Sequence, residues 1–308
     1  TGETYILYLK YTARPEKVKD KGSIAITAAK GLYFINPTGS DPKKPTQIWT
    51  QGETEANSCW FPTIDSPNQK TSQEIYITVP NKFKTLSNGR LISQEKSGTN
   101  RTDYWKLDQK HAPYLFFMGV GEYEVIEDSY NNIPVNYYVE KKYASLAKDI
   151  FGLTPEMIGF FEDKLGVAYP WNKYSQIVAR DYVSGAMENT TAVVHGDDAY
   201  QMKGQLIDEN RQENTIAHEI FHHWFGNLVT SESWSNLALN ESFANYSQYL
   251  WREYKYGKTN ADAHLFENTK AYKDDIDNHE KKLVRFYYEE KEDMFDLISY
   301  NKGGAILH

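Results

Sequence analysis

The stretch Thr215-Ile216-Ala217-His218-Glu219-Ile220-Phe221-His222-His223-Trp224-Phe225-Gly226-Asn227 decides how the rest of the chain is read. It contains H-E-x-x-H, with His218, Glu219 and His222 in the fixed places. Residues four apart on an α-helix sit one turn above each other on one face. Both imidazoles can therefore point at one ion, while Glu219 reaches a water beside it. Ile216, Ala217, Ile220, Phe221, Trp224 and Phe225 supply the apolar face of such a helix, and Gly226-Asn227 reads as its stop. His223, five places from His218, is turned away from that face and reads as a packing or supporting residue.

A catalytic zinc takes three protein ligands and keeps a fourth position open. A third histidine at G-x-x-H spacing is missing, because Leu228 stands where it would fall. The downstream carboxylates are Glu232, in a polar turn-like stretch, and Glu241. The latter lies in L-A-L-N-E-S-F-A-N-Y, where Asn240 reads as an N-cap and apolar periodicity runs to about Tyr256, with Gly257 as the stop. A second helix running back past the first would deliver Glu241. The expected ligands are His218, His222 and Glu241, holding one zinc ion per chain, with Glu219 as general base.

H-E-x-x-H followed by Glu in W-x-x-L-x-L-N-E resembles the gluzincin aminopeptidases, the family of aminopeptidase N and leukotriene-A hydrolase. Gly185-Ala186-Met187-Glu188-Asn189 matches that family's exopeptidase motif at all five positions. An exopeptidase must recognise a terminal ammonium, and a fixed carboxylate does so by a charge-assisted hydrogen bond. Glu188 is the expected amine anchor. Gly185, Ala186 and Met187 would offer backbone to an extended peptide as an edge strand does. The run Thr50–Pro67 is similar to the family's T-Q-x-E followed by F-P-x-x-D-x-P. The resemblance implies that Glu53 helps hold the amine and that Gln51 lines the site. Ser58-Cys59 stands where the family often has Arg. Phe295–His308 resembles F-D-x-I-x-Y-x-K-G, which gives Tyr300 the role of hydrogen-bond donor to the oxyanion. Family members continue with more helices and a helical domain over the cleft. The resemblance therefore implies that these 308 residues are a piece of a longer enzyme, truncated at its carboxyl end, with the missing helices packing over the cleft.

The implied fold class is α+β. Residues 1–130 read as an antiparallel β-sandwich-like domain, with strand-like runs at Tyr5–Tyr11, Ser72–Val79, Tyr104–Leu107 and Tyr114–Ile126. Turns at Asn36-Pro37-Thr38-Gly39 and Ser87-Asn88-Gly89 separate them. Residues 131–308 read as a thermolysin-like zinc peptidase domain of mixed sheet and helices, after a polar boundary at 128–132. Within it Pro134–Val139 and Gln176–Arg180 are strand-like. Ala144–Leu165 has helical periodicity broken near Gly152–Pro155, and Asp262–Lys282 is a charged, exposed helix.

The net charge of −8 argues against nucleic acid and anionic membrane surfaces. One cysteine, Cys59, excludes an intrachain disulfide. No apolar run approaches a membrane span. No signal peptide is visible, and the strand-like start suggests a chain cut from a longer one, so the compartment stays open between cytoplasmic and secreted or periplasmic. The expected partners are peptides with a free amino terminus. Epoxide hydrolysis at the same zinc, as in the leukotriene branch, is the alternative activity. A non-catalytic scaffold of the same fold is the alternative without chemistry.

Overall fold

In the first part of the chain, period-two burial produces strands, and the strands build two sheets. The computed structural model describes residues 4–19, 22–23, 25–275 and 281–308. The first sheet comprises β1 (Leu32–Ile35), β2 (Gln47–Thr50), β4 (Lys84–Ser87) and β7 (Met118–Gly121), in the order β1-β2-β7-β4, all antiparallel. The second comprises β3 (Thr71–Pro80), β5 (Arg90–Ser97) and β6 (Asn100–His111), in the order β3-β6-β5, also antiparallel. In β6, Arg101, Asp103, Trp105 and Leu107 face inward while the residues between them are more exposed. Trp49, Leu86 and Val120 from one sheet pack with Ile77, Val79 and Trp105 from the other in a single core. Gly89 turns β4 into β5 at φ +76°, where a Cβ would lie 1.9 Å from the Lys106 carbonyl oxygen, so only glycine fits.

The second part is built on a five-stranded mixed sheet. Its strands are β8 (Tyr123–Tyr130), β9 (Ile133–Glu140), β10 (Tyr174–Ala179), β11 (Ala186–Met187) and β12 (Ala192–Gly196), in the order β11-β12-β10-β9-β8. β10 runs parallel to both β9 and β12 and is buried along its whole length, as a central parallel strand must be. Helices α1 (Ala147–Phe151) and α2 (Thr154–Leu165) connect β9 to β10, with Pro155 in the first turn of α2 and Gly166 ending it at φ +65°. After β12 come α3 (Lys203–Asp208), α4 (Glu213–Phe221), α5 (Ala238–Tyr256), α6 (Lys258–Asp274), a π-helical turn over Ile298–Lys302 and α7 (Gly303–Leu307). Phe151, Ile158, Phe161, Ile216, Ile220, Trp224 and Trp251 form the core between helices and sheet.

Several expectations need correction. Tyr5–Tyr11 makes no strand, and Tyr5, Ile6, Leu7 and Tyr8 are largely exposed. A strand-forming run needs an edge to pair with, and none among the described residues takes this one. Tyr114–Ile126 is a short 3₁₀ turn followed by two strands in different sheets, the change falling at Glu122. Of the polar run at 128–132, residues 128–130 end β8 and Asn131-Asn132, with Asn131 at φ +50°, turn the chain into β9. Asn240 does not cap α5, which starts at Ala238. The α-helical part of the helix that carries H-E-x-x-H ends at Phe221. His222 follows with helical φ and ψ of −55° and −25°, and Gly226, at φ +131°, ends the turn beyond. Of Asp262–Lys282, the helix covers the part to Asp274, while residues 276–280 lie outside the described residues.

Candidate metal and peptide site

Helix α4 buries Ile216, Ala217, Ile220 and Phe221 against the sheet, which turns His218 and His222 toward α5. Ala217, Ala244 and Ser247, all small and buried, let α4 and α5 approach until Ser247 Oγ donates to Ala217 O. This closeness brings Glu241, in the first turn of α5, to the two imidazoles. His218 Nε2 lies 3.2 Å and His222 Nε2 3.5 Å from Glu241 Oε2, and the two Nε2 atoms are 3.0 Å apart.

A tetrahedral zinc with ligands at 2.0–2.1 Å holds neighbouring ligand atoms about 3.3 Å apart. The three donor atoms thus already have the spacing that such an ion requires. Their outer nitrogens are also engaged: His222 Nδ1 lies 3.0 Å from Phe225 O, and His218 Nδ1 lies 3.2 Å from the Gln248 amide. A proton on His222 Nδ1, with Phe225 O as its acceptor, leaves that ring's Nε2 lone pair facing inward.

Three more carboxylates surround this group. Glu219, Glu188 and Glu53 are each at most 5% exposed, and Glu219 Oε2, Glu188 Oε1 and Glu53 Oε1 have no hydrogen-bond partner among the described residues. Burial, reinforced by the neighbouring carboxylates, pushes Glu53 and Glu219 well above the usual carboxylate range and raises Glu188. His222 responds in the opposite sense. Burial alone would lower it, yet Glu188 and Glu241 overcome that and push it up to about 10. The same imidazoles hold Glu241 below the usual range despite its burial. A bound metal ion would take the place of the His222 proton.

Tyr300 stands in the π-helical turn with its ring parallel to that of His218, 6.1 Å between centres. Burial and then Glu241, Glu53 and Glu188 hold its hydroxyl well above its ordinary pKa, so it stays a proton donor. Ser242 Oγ donates to Ser299 O and Asn245 Nδ2 to Tyr300 O, fastening this turn to α5.

His218, Glu219, His222, Glu241, Glu188, Glu53, Tyr300 and Ala186 line one cavity. Other expected site residues lie outside its wall. Gln51 is buried behind it, accepting a hydrogen bond from Tyr182 and donating to Met187 Sδ at 3.3 Å. Met187 alternates away from Ala186 and Glu188 into the core. Gly185 is exposed and its carbonyl accepts from Gly196 N. β11 is nonetheless an edge strand with one side unpaired in the sheet. Glu232 is exposed and belongs to none of the carboxylate–imidazole groups here. His223 donates from Nδ1 to Glu219 O and accepts at Nε2 from Thr191 N, both at 3.1 Å, which supports the backbone of Glu219.

The remaining walls were not anticipated: Ala25, Ile26, Ser184 and Phe295. Asn227 was expected only as a stop signal, but its Nδ2 donates to Glu188 O at 2.8 Å and so ties the turn after α4 to the residue that follows β11. Asn240 likewise bridges, accepting from Ser231 N and donating to Tyr114 Oη, both at 3.1 Å. For Asn240 the available signal was its place next to Glu241, whereas Asn227 carried none beyond following Gly226.

Sequence comparison matches residues 150–308 to the Peptidase family M1 domain and residues 7–115 to the Peptidase M1 N-terminal domain. Similar proteins include Aminopeptidase M1-A of Oryza sativa subsp. japonica, 29% identical over 90% of this chain and 32% of its own length. Probable aminopeptidase 1 of Saccharolobus solfataricus is 28% identical over 99% of this chain and 39% of its own. Glutamyl aminopeptidase of Bos taurus is 31% identical over 80% and 27%. The chain thus spans about a third of the length of these curated relatives. No helix among the described residues is long and apolar enough to cross a membrane.

Proposed function

Because the chain belongs to peptidase family M1, we propose that it carries the catalytic centre of a zinc aminopeptidase, releasing the first residue of peptides with a free amino terminus. The observation that carries this reading is the charge imbalance of the cavity. Four buried carboxylates, three with an unpartnered oxygen, face two imidazoles. Buried carboxylates without cations are costly. Two cationic guests balance them: a divalent metal ion among His218, His222 and Glu241, and a substrate ammonium between Glu188 and Glu53. The relatives' names, which are aminopeptidases, agree with it.

A zinc ion held by those three residues would polarise the first peptide carbonyl and acidify a water beside it. Glu219, held high in pKa by burial and by the neighbouring Glu188 and Glu241, takes that water's proton and passes it to the leaving amine. Tyr300 donates a hydrogen bond to the carbonyl oxygen as it gains charge. Glu188 and Glu53 hold the ammonium one residue from the reacting carbonyl, so a single residue is trimmed. Ala186, on the edge strand, leaves its backbone side open to an extended peptide.

The test is kinetic. Glu219→Gln should keep its zinc and lose activity on amino-acid arylamides by roughly 10²–10⁴-fold. Undiminished turnover in that zinc-loaded variant would refute the assignment. Glu188→Ala should raise KM for free-amine substrates far more than for N-blocked ones, and equal effects on both would remove its anchoring role.

A further inference from the structure

A loop from near the start of the chain closes the catalytic cavity. Ser23 N donates to Ile26 O at 2.7 Å and Ile26 N to Ser23 Oγ at 3.0 Å, which makes a tight turn. Thr27 donates twice to Val183 O, from N at 2.9 Å and from Oγ1 at 3.1 Å, just ahead of the anchor strand. Tyr33 Oη then donates to Ala28 O at 2.7 Å while accepting from Lys30 N. Held at these points, the loop turns Ile26 inward to 3% exposure, and Ala25 and Ile26 both line the cavity with Glu53, Glu188 and His218. The cavity is small, about 40 Å³, which is room for on the order of three waters.

The rest follows from where a substrate's first residue must lie if the aminopeptidase reading holds, on which this inference rests. Its ammonium goes to Glu188 and Glu53, and its carbonyl to the histidine side. The side chain then leaves toward the remaining walls, where Ala25, Ile26, Ala186 and Phe295 are all apolar. We propose that Ile26 is a specificity-determining residue that caps the subsite for the first side chain, so that peptides beginning with a small neutral residue such as alanine are preferred over leucine or phenylalanine. On this reading a methyl group leaves Ile26 in place, whereas an isobutyl or benzyl group needs the space that Ile26 occupies. Each methylene that such a pocket admits or refuses is worth roughly 10–200-fold in discrimination.

The zinc-loaded chain can be titrated calorimetrically with the hydroxamates of alanine, leucine and phenylalanine, which requires no turnover. The unaltered chain should bind the alanine compound at least about tenfold more tightly than the leucine one. Ile26→Ala should tighten leucine and phenylalanine binding by about tenfold or more and leave alanine within about threefold. Should a thermal melt show Ile26→Ala unfolded, Ile26→Val makes the same comparison with a smaller step in the same order. An equal change for all three compounds, or a preference for leucine in the unaltered chain, overturns the proposal while leaving the aminopeptidase reading intact. Failure of a zinc-bearing chain to bind any of the three overturns that reading, and this one with it.

Discussion

At His218, metal ligation through Nε2 requires a proton on Nδ1, and that proton needs an acceptor. The Gln248 amide nitrogen lies 3.2 Å from the ring and also donates to Asn245 Oδ1 at 3.3 Å, so turning the amide to bring its oxygen to the ring would supply that acceptor when a metal binds. Gln248→Ala should therefore weaken zinc binding by roughly 10–100-fold in a chelator competition, while Gln248→Glu keeps it. Unchanged affinity in the alanine variant would show that Gln248 plays no part. The pairing of His218 with His222 was legible in the sequence because helical spacing fixes which side chains share a face, whereas Glu241 was expected from a second helix running back past the first. Gln248 carried the same signal, two turns beyond Glu241, and was overlooked. Ile26 carried none: it reaches the cavity from a loop whose sequence, I-A-I-T-A-A, has neither helical nor strand period. Gln51 was expected on the wall because its motif neighbours Glu53, but motif adjacency does not fix which way a loop side chain turns.

The site depends on how α4 and α5 lie against each other. Glu213, in the first turn of α4, accepts from Trp251 Nε1 at 2.6 Å and from Tyr256 Oη at 2.7 and 2.8 Å, fastening the start of one helix to the end of the other. Its carboxylate also suits the positive end of the helix dipole. Glu213→Ala leaves a buried indole N–H and a phenol without their acceptor, so unfolding free energy should fall by about 1–3 kcal/mol in denaturant melts. Melts superimposable on those of the unaltered chain would mean that packing alone docks the helices. The existence of both helices was legible from apolar period and from Gly257, which stops α5 at φ +84°. Their beginnings and ends were less so. The turn Trp234–Asn236 feeds directly into α5, so Asn240 is inside the helix and bonds across to Tyr114. The π-helical turn under Tyr300 could not be read either. In it the Ser299 and Tyr300 carbonyls accept from the Ser242 and Asn245 side chains of α5, and bulges of this kind are frequent at functional sites.

On the scale of the molecule, the cavity is assembled from distant segments. Glu53 comes from the loop after β2, Glu188 follows the edge strand, the imidazoles and Glu241 come from two helices, and Tyr300 comes from the last turns of the chain. The Glu53 loop is moored to the catalytic part by its neighbours: Thr54 Oγ1 donates to Glu292, Trp234 Nε1 to Glu55, and Lys291 pairs with Glu55 at 3.2 Å. These bonds join residues far apart in sequence, which is why the fold class was readable from strand and helix patterns while the way the parts meet was not. Every role assigned above depends on a divalent ion gripped by His218, His222 and Glu241. Zinc-edge X-ray absorption on the chain loaded with one equivalent of zinc tests that grip directly. One tightly bound ion per chain should appear, with two imidazole nitrogens and one carboxylate oxygen at about 2.0–2.2 Å, and the oxygen should disappear in Glu241→Ala. A chain that retains no zinc, or whose zinc shell is the same with and without the carboxylate at 241, would show that these residues do not form the metal centre.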